Sequence, residues 1–143
     1  MAENIAAINT TVEKTNRILA EIEREMGWQE RPDQALSALR VVLHTLRDRL
    51  PVNEAANLGA QLPELIRGVY YEGWEPSRVP VKMSREEFLE AIRRRFIYAR
   101  EAEFDLEQMV NVVLETVTLH MDHGEVEKIK ASLPKAIAAL IPG

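Results

Sequence analysis

The chain has 143 residues, of which 46% are hydrophobic, 29% charged and 6% aromatic, with a formal net charge of −5. A single core usually forms at about 100–150 residues and halves of roughly 70 would be marginal alone, so the expectation is one domain, or two small units packed together. The apolar fraction excludes general disorder, no apolar run reaches the roughly 18 residues of a membrane span, and the absence of cysteine excludes disulfides and thiolate chemistry and points to a reducing cytoplasm.

The opening MAENIAAINTTVEK lacks the charged-then-apolar layout of a secretion signal. Ile5, Ile8, Val12, Ile18, Leu19, Ile22 and Met26 form one apolar stripe at helical spacing, which Gly27 ends. Asp33 is placed to cap a second helix with Leu36, Leu39, Leu43, Leu46 and Leu50 on its buried side, and Pro51 ends it. Asn53 is the expected cap of a third helix from Glu54 towards Tyr71. Pro63 interrupts that pattern, so the expectation is a kink, or two short helices with Pro63 in the first turn of the second.

Residues 73–84 carry two prolines and no helical period, and read as a linker with Val79 to Met83 extended. Ser84 with Glu87 forms an S-x-x-E capping box that opens a fourth helix, with Phe88, Leu89, Ile92 and Phe96 inward. Asp105 with Gln108 is a similar cap for a fifth, carrying Leu106, Met109, Val113, Leu114 and Val117. His120 to Gly124 reads as a turn, and Pro134 interrupts the sixth helix. No segment shows strand alternation, so the fold class is all-α.

A shift of 71 residues lays VVLHTLRDRLPVNEAANLGAQLPELI (Val41 to Ile66) without gaps over VVLETVTLHMDHGEVEKIKASLPKAI (Val112 to Ile137). Val41, Val42, Leu43, Thr45 and Glu54 recur, as does the pattern Ala60, Leu62, Pro63, Ile66. Hydrophobic periodicity does not supply a proline, so the match points to duplication: a first three-helix unit over residues 1–72 and a second over 85–143, packed as one pseudo-twofold bundle. Two units are too few for an open solenoid.

The stretch Ala38 to Trp74, together with Tyr70 to Trp74 and the Arg85 to Leu89 helix start, closely resembles the bacterial family called domain of unknown function 2267, over roughly residues 5–141. The resemblance implies a bacterial, cytoplasmic, all-helical protein and brings no activity, cofactor or catalytic residue with it. The second unit departs from the family's usual pattern at Met121-Asp122-His123.

Little in the sequence suggests catalysis. Residues 1–72 carry eleven acids and eight bases, and residues 73–143 twelve and ten, so neither half has the basic footprint of a nucleic-acid binder. Arg93, Arg94 and Arg95 point about 100° apart on a helix and make no single basic face, with Glu90 placed to pair with Arg94. A helix-turn-helix reading around Leu50 to Glu54 would give an acid-bearing recognition helix. His120, Asp122 and His123, with Glu125 and Glu127, are the metal candidates, but they straddle a helix end and match no H-E-x-x-H or E-x-x-H spacing. His44 lies beside the leucine stripe without an evident orienting partner. The six glycines form no phosphate-binding loop, and no G-x-S-x-G elbow occurs. No cofactor is expected. Arg67, Tyr70, Tyr71 and Trp74 are the candidate interaction surface, because aromatics beside an arginine favour interfaces; the competing role is closing a core behind a helix end, as for Trp28. The expectation is a non-enzymatic helical interaction module that binds a protein partner or itself. The alternative is a small-ligand or metal-binding module using a cleft between the units.

Overall fold

A computed structural model describes residues 5–101 and 103–143. Residues 1–4, counted above in the first unit and the signal-free opening, and Ala102, counted in the second unit, lie outside the described residues. Among the described residues there are eight α-helices and no strand, as the all-α reading requires.

Helix α1 (Ala6–Met26) ends at Gly27, whose φ of 72° is the left-handed conformation that glycine takes without steric cost. The N–H groups of Gly27 and Trp28 then close the last turn on the carbonyls of Arg24 and Glu23. Thr15, Ile18, Leu19 and Ile22 are buried, but Ile5, Ile8 and Val12 on the same stripe are 55%, 56% and 40% exposed. Periodicity identified the face and not how far its neighbours extend along it.

Helix α2 (Pro32–Arg49) starts with proline at a position whose N–H needs no partner. Asp33 therefore lies inside the first turn rather than capping it; it accepts from the Arg31 guanidinium at 3.2 Å and the Tyr98 hydroxyl at 2.9 Å. The Arg31 hydrogen bond, with the Tyr98 one second, holds the Asp33 carboxyl at about 2. Ala35, Ala38, Leu39, Val42, Leu43 and Leu46 are all buried, on more than one side, so α2 is the central helix. Leu36 stays partly exposed.

The expected third helix is two: α3 (Val52–Gln61) and α4 (Glu64–Tyr70). Pro51 and Pro63 occupy the N-cap positions, which moves Asn53 inside the first turn of α3 and Pro63 one place ahead of α4. The ring of a proline pushes the preceding residue out of the helical region. Leu50 and Leu62 are accordingly extended, with ψ of 150° and 147°, and both are buried. Each Leu-Pro pair thus redirects the chain while placing a leucine in the core. Beyond α4, residues 76–78 make a 3₁₀ turn, and the Val81 N–H donates to the Asp48 carbonyl at 2.7 Å. The segment read as a linker is therefore held against the end of α2.

Helix α5 (Arg85–Arg95) begins with the complete capping box: Ser84 Oγ accepts from the Glu87 N–H, and the Glu87 carboxylate from the Ser84 N–H. That backbone bond lowers the Glu87 pKa. Phe88, Ile92 and Phe96 are buried. Helix α6 (Leu106–Thr118) is capped by Asp105, which accepts from the Gln108 N–H, and buries Met109, Val113, Leu114 and Val117. Helix α7 (His123–Ala131) starts inside the expected turn, because the Asp122 carboxylate caps it. Helix α8 (Lys135–Ala138) follows Pro134, again at the N-cap.

Helix α1 packs on α6, α2 and α4; α2 on α4, α5 and α6; α3 on α7; and α5 on α6 and α8. Leu39, Leu43, Tyr70, Phe88, Met109 and Ile137 meet in one core cluster drawn from the whole chain. Trp28 joins it by stacking on Phe96 at 6.0 Å between centroids.

Candidate functional site

The four residues read as an interaction surface mostly face the protein itself. Arg67 donates to the carbonyls of Gly59, Ala60 and Leu62 at 2.9, 3.3 and 3.1 Å, closing the orphan carbonyls at the end of α3. Tyr70 is fully buried and donates its hydroxyl to the Ala55 carbonyl at 2.6 Å; burial raises its pKa and keeps the phenol neutral. Tyr70 is therefore core and no part of a surface. Tyr71 and Trp74 are half-buried, with Tyr71 packed between Tyr70 and Trp74 at centroid distances of 5.0 and 5.3 Å. Tyr71 also lies against Gly59, where a Cβ would collide with its ring. The glycine is the condition for that close approach.

Beneath this segment lies a polar network that the sequence reading missed. Arg47 is 3% exposed and donates from Nη1 to the carbonyls of Tyr70 and Glu72 at 2.6 and 2.7 Å. Its Nε donates to Asp48 at 2.9 Å, and Asp48 also faces Arg95 at 3.6 Å. A cation at the C-terminal end of a helix satisfies orphan carbonyls and the negative end of the dipole together. His44 Nε2 donates to the Val69 carbonyl at 2.7 Å. Burial, aided by the Arg47 charge, lowers the His44 pKa against the opposing pull of that carbonyl. His44 thus has an orienting partner, but a backbone carbonyl, not a catalytic carboxylate. The signal for the network was present: Arg47 follows Leu43 by four and Leu46 by one, so an arginine stood at the border of the leucine stripe.

The metal candidates are engaged separately. His120 is 3.8 Å from Glu21, Asp122 caps α7, and His123 is 3.7 Å from Glu127. Among the described residues no three His, Cys, Asp or Glu side chains converge as a metal would need. Glu54 and Glu125 each carry a buried carboxylate oxygen without a partner. Both occupy the third position of a helix, from which a glutamate normally reaches back to the N-cap N–H. Pro51 has no N–H to offer, and the Asp122 N–H donates instead to Gln61 at 3.1 Å. Of the arginine cluster, Arg93 faces Glu90 at 3.9 Å, in place of the Glu90–Arg94 pair expected, and Arg95 reaches the Thr45 hydroxyl at 3.3 Å.

Several depressions open on the surface of the described residues, two of them beside the metal candidates. One, of about 190 Å³, lies where α1 passes the Leu62-Pro63 break and is lined by Lys14, Arg17, Gln61 and His120 as well as apolar groups. It is smaller than the usual small-molecule site. The other, of about 410 Å³, lies at the end of α6 between Glu115, Leu119, Met121, Val126, Glu127 and Pro142. No helix is long and apolar enough to cross a membrane among the described residues. In comparisons with known proteins, the family model described as an uncharacterized conserved protein (DUF2267) matches residues 15–140, and no curated protein matches.

Proposed function

We propose, from the premise that the chain belongs to the DUF2267 family of uncharacterized conserved proteins, that it is a non-enzymatic helical interaction module of the bacterial cytoplasm. The observation that carries this reading is the first two turns of α1. Ile5, Ile8 and Val12 continue the stripe of Leu19 and Ile22 towards the start of the helix and stay exposed. Leu65, 47% exposed, adjoins them, its N–H donating to the Thr11 hydroxyl at 2.8 Å. An apolar helix face of this kind is an interaction surface, and Asn9, Thr11 and Asn16 beside it bring no charge that would repel a second copy. The simplest occupant is that second copy. His44, Arg47, Arg67 and Tyr70 support the reading from the other side, since each is engaged in holding backbone.

The same proposal includes two units related by a pseudo-twofold axis, α1–α4 and α5–α8, in each of which the last of the three expected helices is split at the proline. Helices α3 and α7 start 71 residues apart at Val52 and His123, and α4 and α8 start 71 apart at Glu64 and Lys135. The contact of α1 with α6 has its counterpart in α5 with α2, that of α1 with α4 in α5 with α8, and α3 meets its own counterpart α7.

Native mass spectrometry and size exclusion of the untagged protein test the interaction reading. The wild type should form a homo-oligomer, and Ile8→Glu should return it to a folded monomer with unchanged helical signal, losing only the concentration-dependent part of the melting temperature. A wild type that stays monomeric at tens of micromolar, or an oligomer indifferent to Ile8→Glu, would remove α1 as the assembling face.

A further inference from the structure

We propose that the depression between α1, the Leu62-Pro63 break and the end of α6 is a phosphate site, taking inorganic phosphate or the phosphoryl group of a small ester. Three parts of the chain remote in sequence build it: Lys14 to Ile18, Gln61 to Pro63, and His120. The inference is independent of assembly through Ile8.

The polar lining offers donors and has few acceptors to spare. Lys14 and Arg17 stand three residues apart on one side of α1. Neither makes a salt bridge among the described residues, although Glu13 and Glu21 lie four positions either side of Arg17. The Gln61 amide is oriented by a neighbour. Its Oε1 accepts the Asp122 N–H at 3.1 Å, so its NH2 end is the one left to donate. Backbone acceptors at the break are taken as well: the Leu62 carbonyl accepts from Arg67 Nη2 at 3.1 Å, and the Pro63 carbonyl from the Arg67 N–H at 2.8 Å. The His120 ring, 3.8 Å from Glu21, completes the rim.

Charge and size choose the ligand. Two fixed cations stand against the Glu21 carboxylate, so the hollow is positive whether His120 is neutral or protonated. In the adjoining hollow, which shares Lys14, Leu62 and Pro63, Glu64 is offset by Arg67. A phosphoryl group presents three strong acceptor oxygens to donors arriving from three elements, where a carboxylate presents two. The volume of about 190 Å³ matches about six waters, room for a phosphoryl group and a few carbons but not for a nucleotide. Ile18, Leu62 and Pro63 supply an apolar wall for those carbons.

The test titrates the ¹⁵N-labelled full chain with glycerol 3-phosphate and inorganic phosphate, with glycerol and chloride as controls, at constant ionic strength. Both phosphates should shift the amides of residues 14–18, 61, 62 and 120, with dissociation constants of about 1 mM or lower. Tighter binding of glycerol 3-phosphate would identify an ester as the ligand; equal or tighter binding of inorganic phosphate would identify the free ion. Gln61→Glu keeps an oxygen for the Asp122 N–H and replaces the donating NH2 by a carboxylate oxygen. It should weaken phosphate binding about tenfold or more with unchanged helical signal, and so should Arg17→Gln at its exposed position. No saturable shift, shifts spread over arginines and lysines of the whole surface (an adventitious ion only), or undiminished binding by either variant would each overturn the proposal. A response to a phosphoserine peptide with none to either small phosphate would overturn it too. Ile8→Glu, outside the hollow, should abolish self-assembly and leave phosphate binding intact, so either reading fails without the other.

Discussion

Helices α4 and α8 both begin behind a buried leucine and a proline, yet they end differently. Helix α4 runs over seven residues, and its closing carbonyls are held by His44 and Arg47, with the Tyr70 hydroxyl anchored on α3. Helix α8 has four residues. Seventy-one positions after Arg47, Arg67 and Tyr70 stand Thr118, Ala138 and Ile141. The Leu140 carbonyl takes a neutral donor, Asn111, at 2.7 Å, where the Val69 carbonyl takes His44. The same proline break thus serves with or without a polar clamp. Buried apolar side chains, Ile137 and Ile141 among them, suffice to hold a short helix, and the clamp accompanies the longer one.

The sharpest way to break that comparison is to remove the cation. Arg47→Ala leaves the Tyr70 carbonyl, the half-buried Glu72 carbonyl and Asp48 short of a donor, and should cost about 3 kcal/mol; Thr118→Ala should cost under about 1 kcal/mol. Urea denaturation of both variants checks the contrast, and equal losses would show that the first unit does not depend on its clamp. Tyr70→Phe retains the ring and removes one buried hydrogen bond, an expected loss of about 1–2 kcal/mol in the same assay. A neutral result would mean that the Ala55 carbonyl finds another donor.

The smallest effect concerns pH. The folded state lowers the His44 pKa from its ordinary value of 6.5, so below that pH the unfolded chain takes up a proton that the folded ring resists. The His44 contribution is complete above about pH 6.5 and is lost as pH falls towards the folded pKa. His44→Gln should therefore flatten the decline in melting temperature between pH 7 and pH 5. An unchanged slope would show that the decline comes from other groups.

Local rules carried most of the secondary structure. The Ser84–Glu87 box, the Asp105 cap and the Gly27 stop depend on residues within one turn, so neighbouring side chains announce them. The proline rules were harder to place: Asp33 and Asn53 looked like caps, but Pro32 and Pro51 shift each helix start by restricting the backbone. The candidate site was less legible. Tyr70 and Trp74 are aromatic whether they meet solvent or core, and only the fold of the segment back over α2 distinguishes the two. Arg47 offered a hint at the border of a leucine stripe, but its acceptors are 23 and 25 residues away.

By itself, the sequence determined an all-helical chain, its helix starts to within a residue or two, a recurrence over 71 positions and the family to which it belongs. Each of these rests on covalent geometry, capping or spacing, which act over a few bonds or repeat along the chain. Tertiary structure alone decided that α2 is enclosed, that Ile5, Ile8 and Val12 stay uncovered while Leu19 and Ile22 do not, and that Arg47 and His44 close on carbonyls of a later segment. Burial depends on which distant element packs against a face and how far it extends, and that is a property of the whole fold.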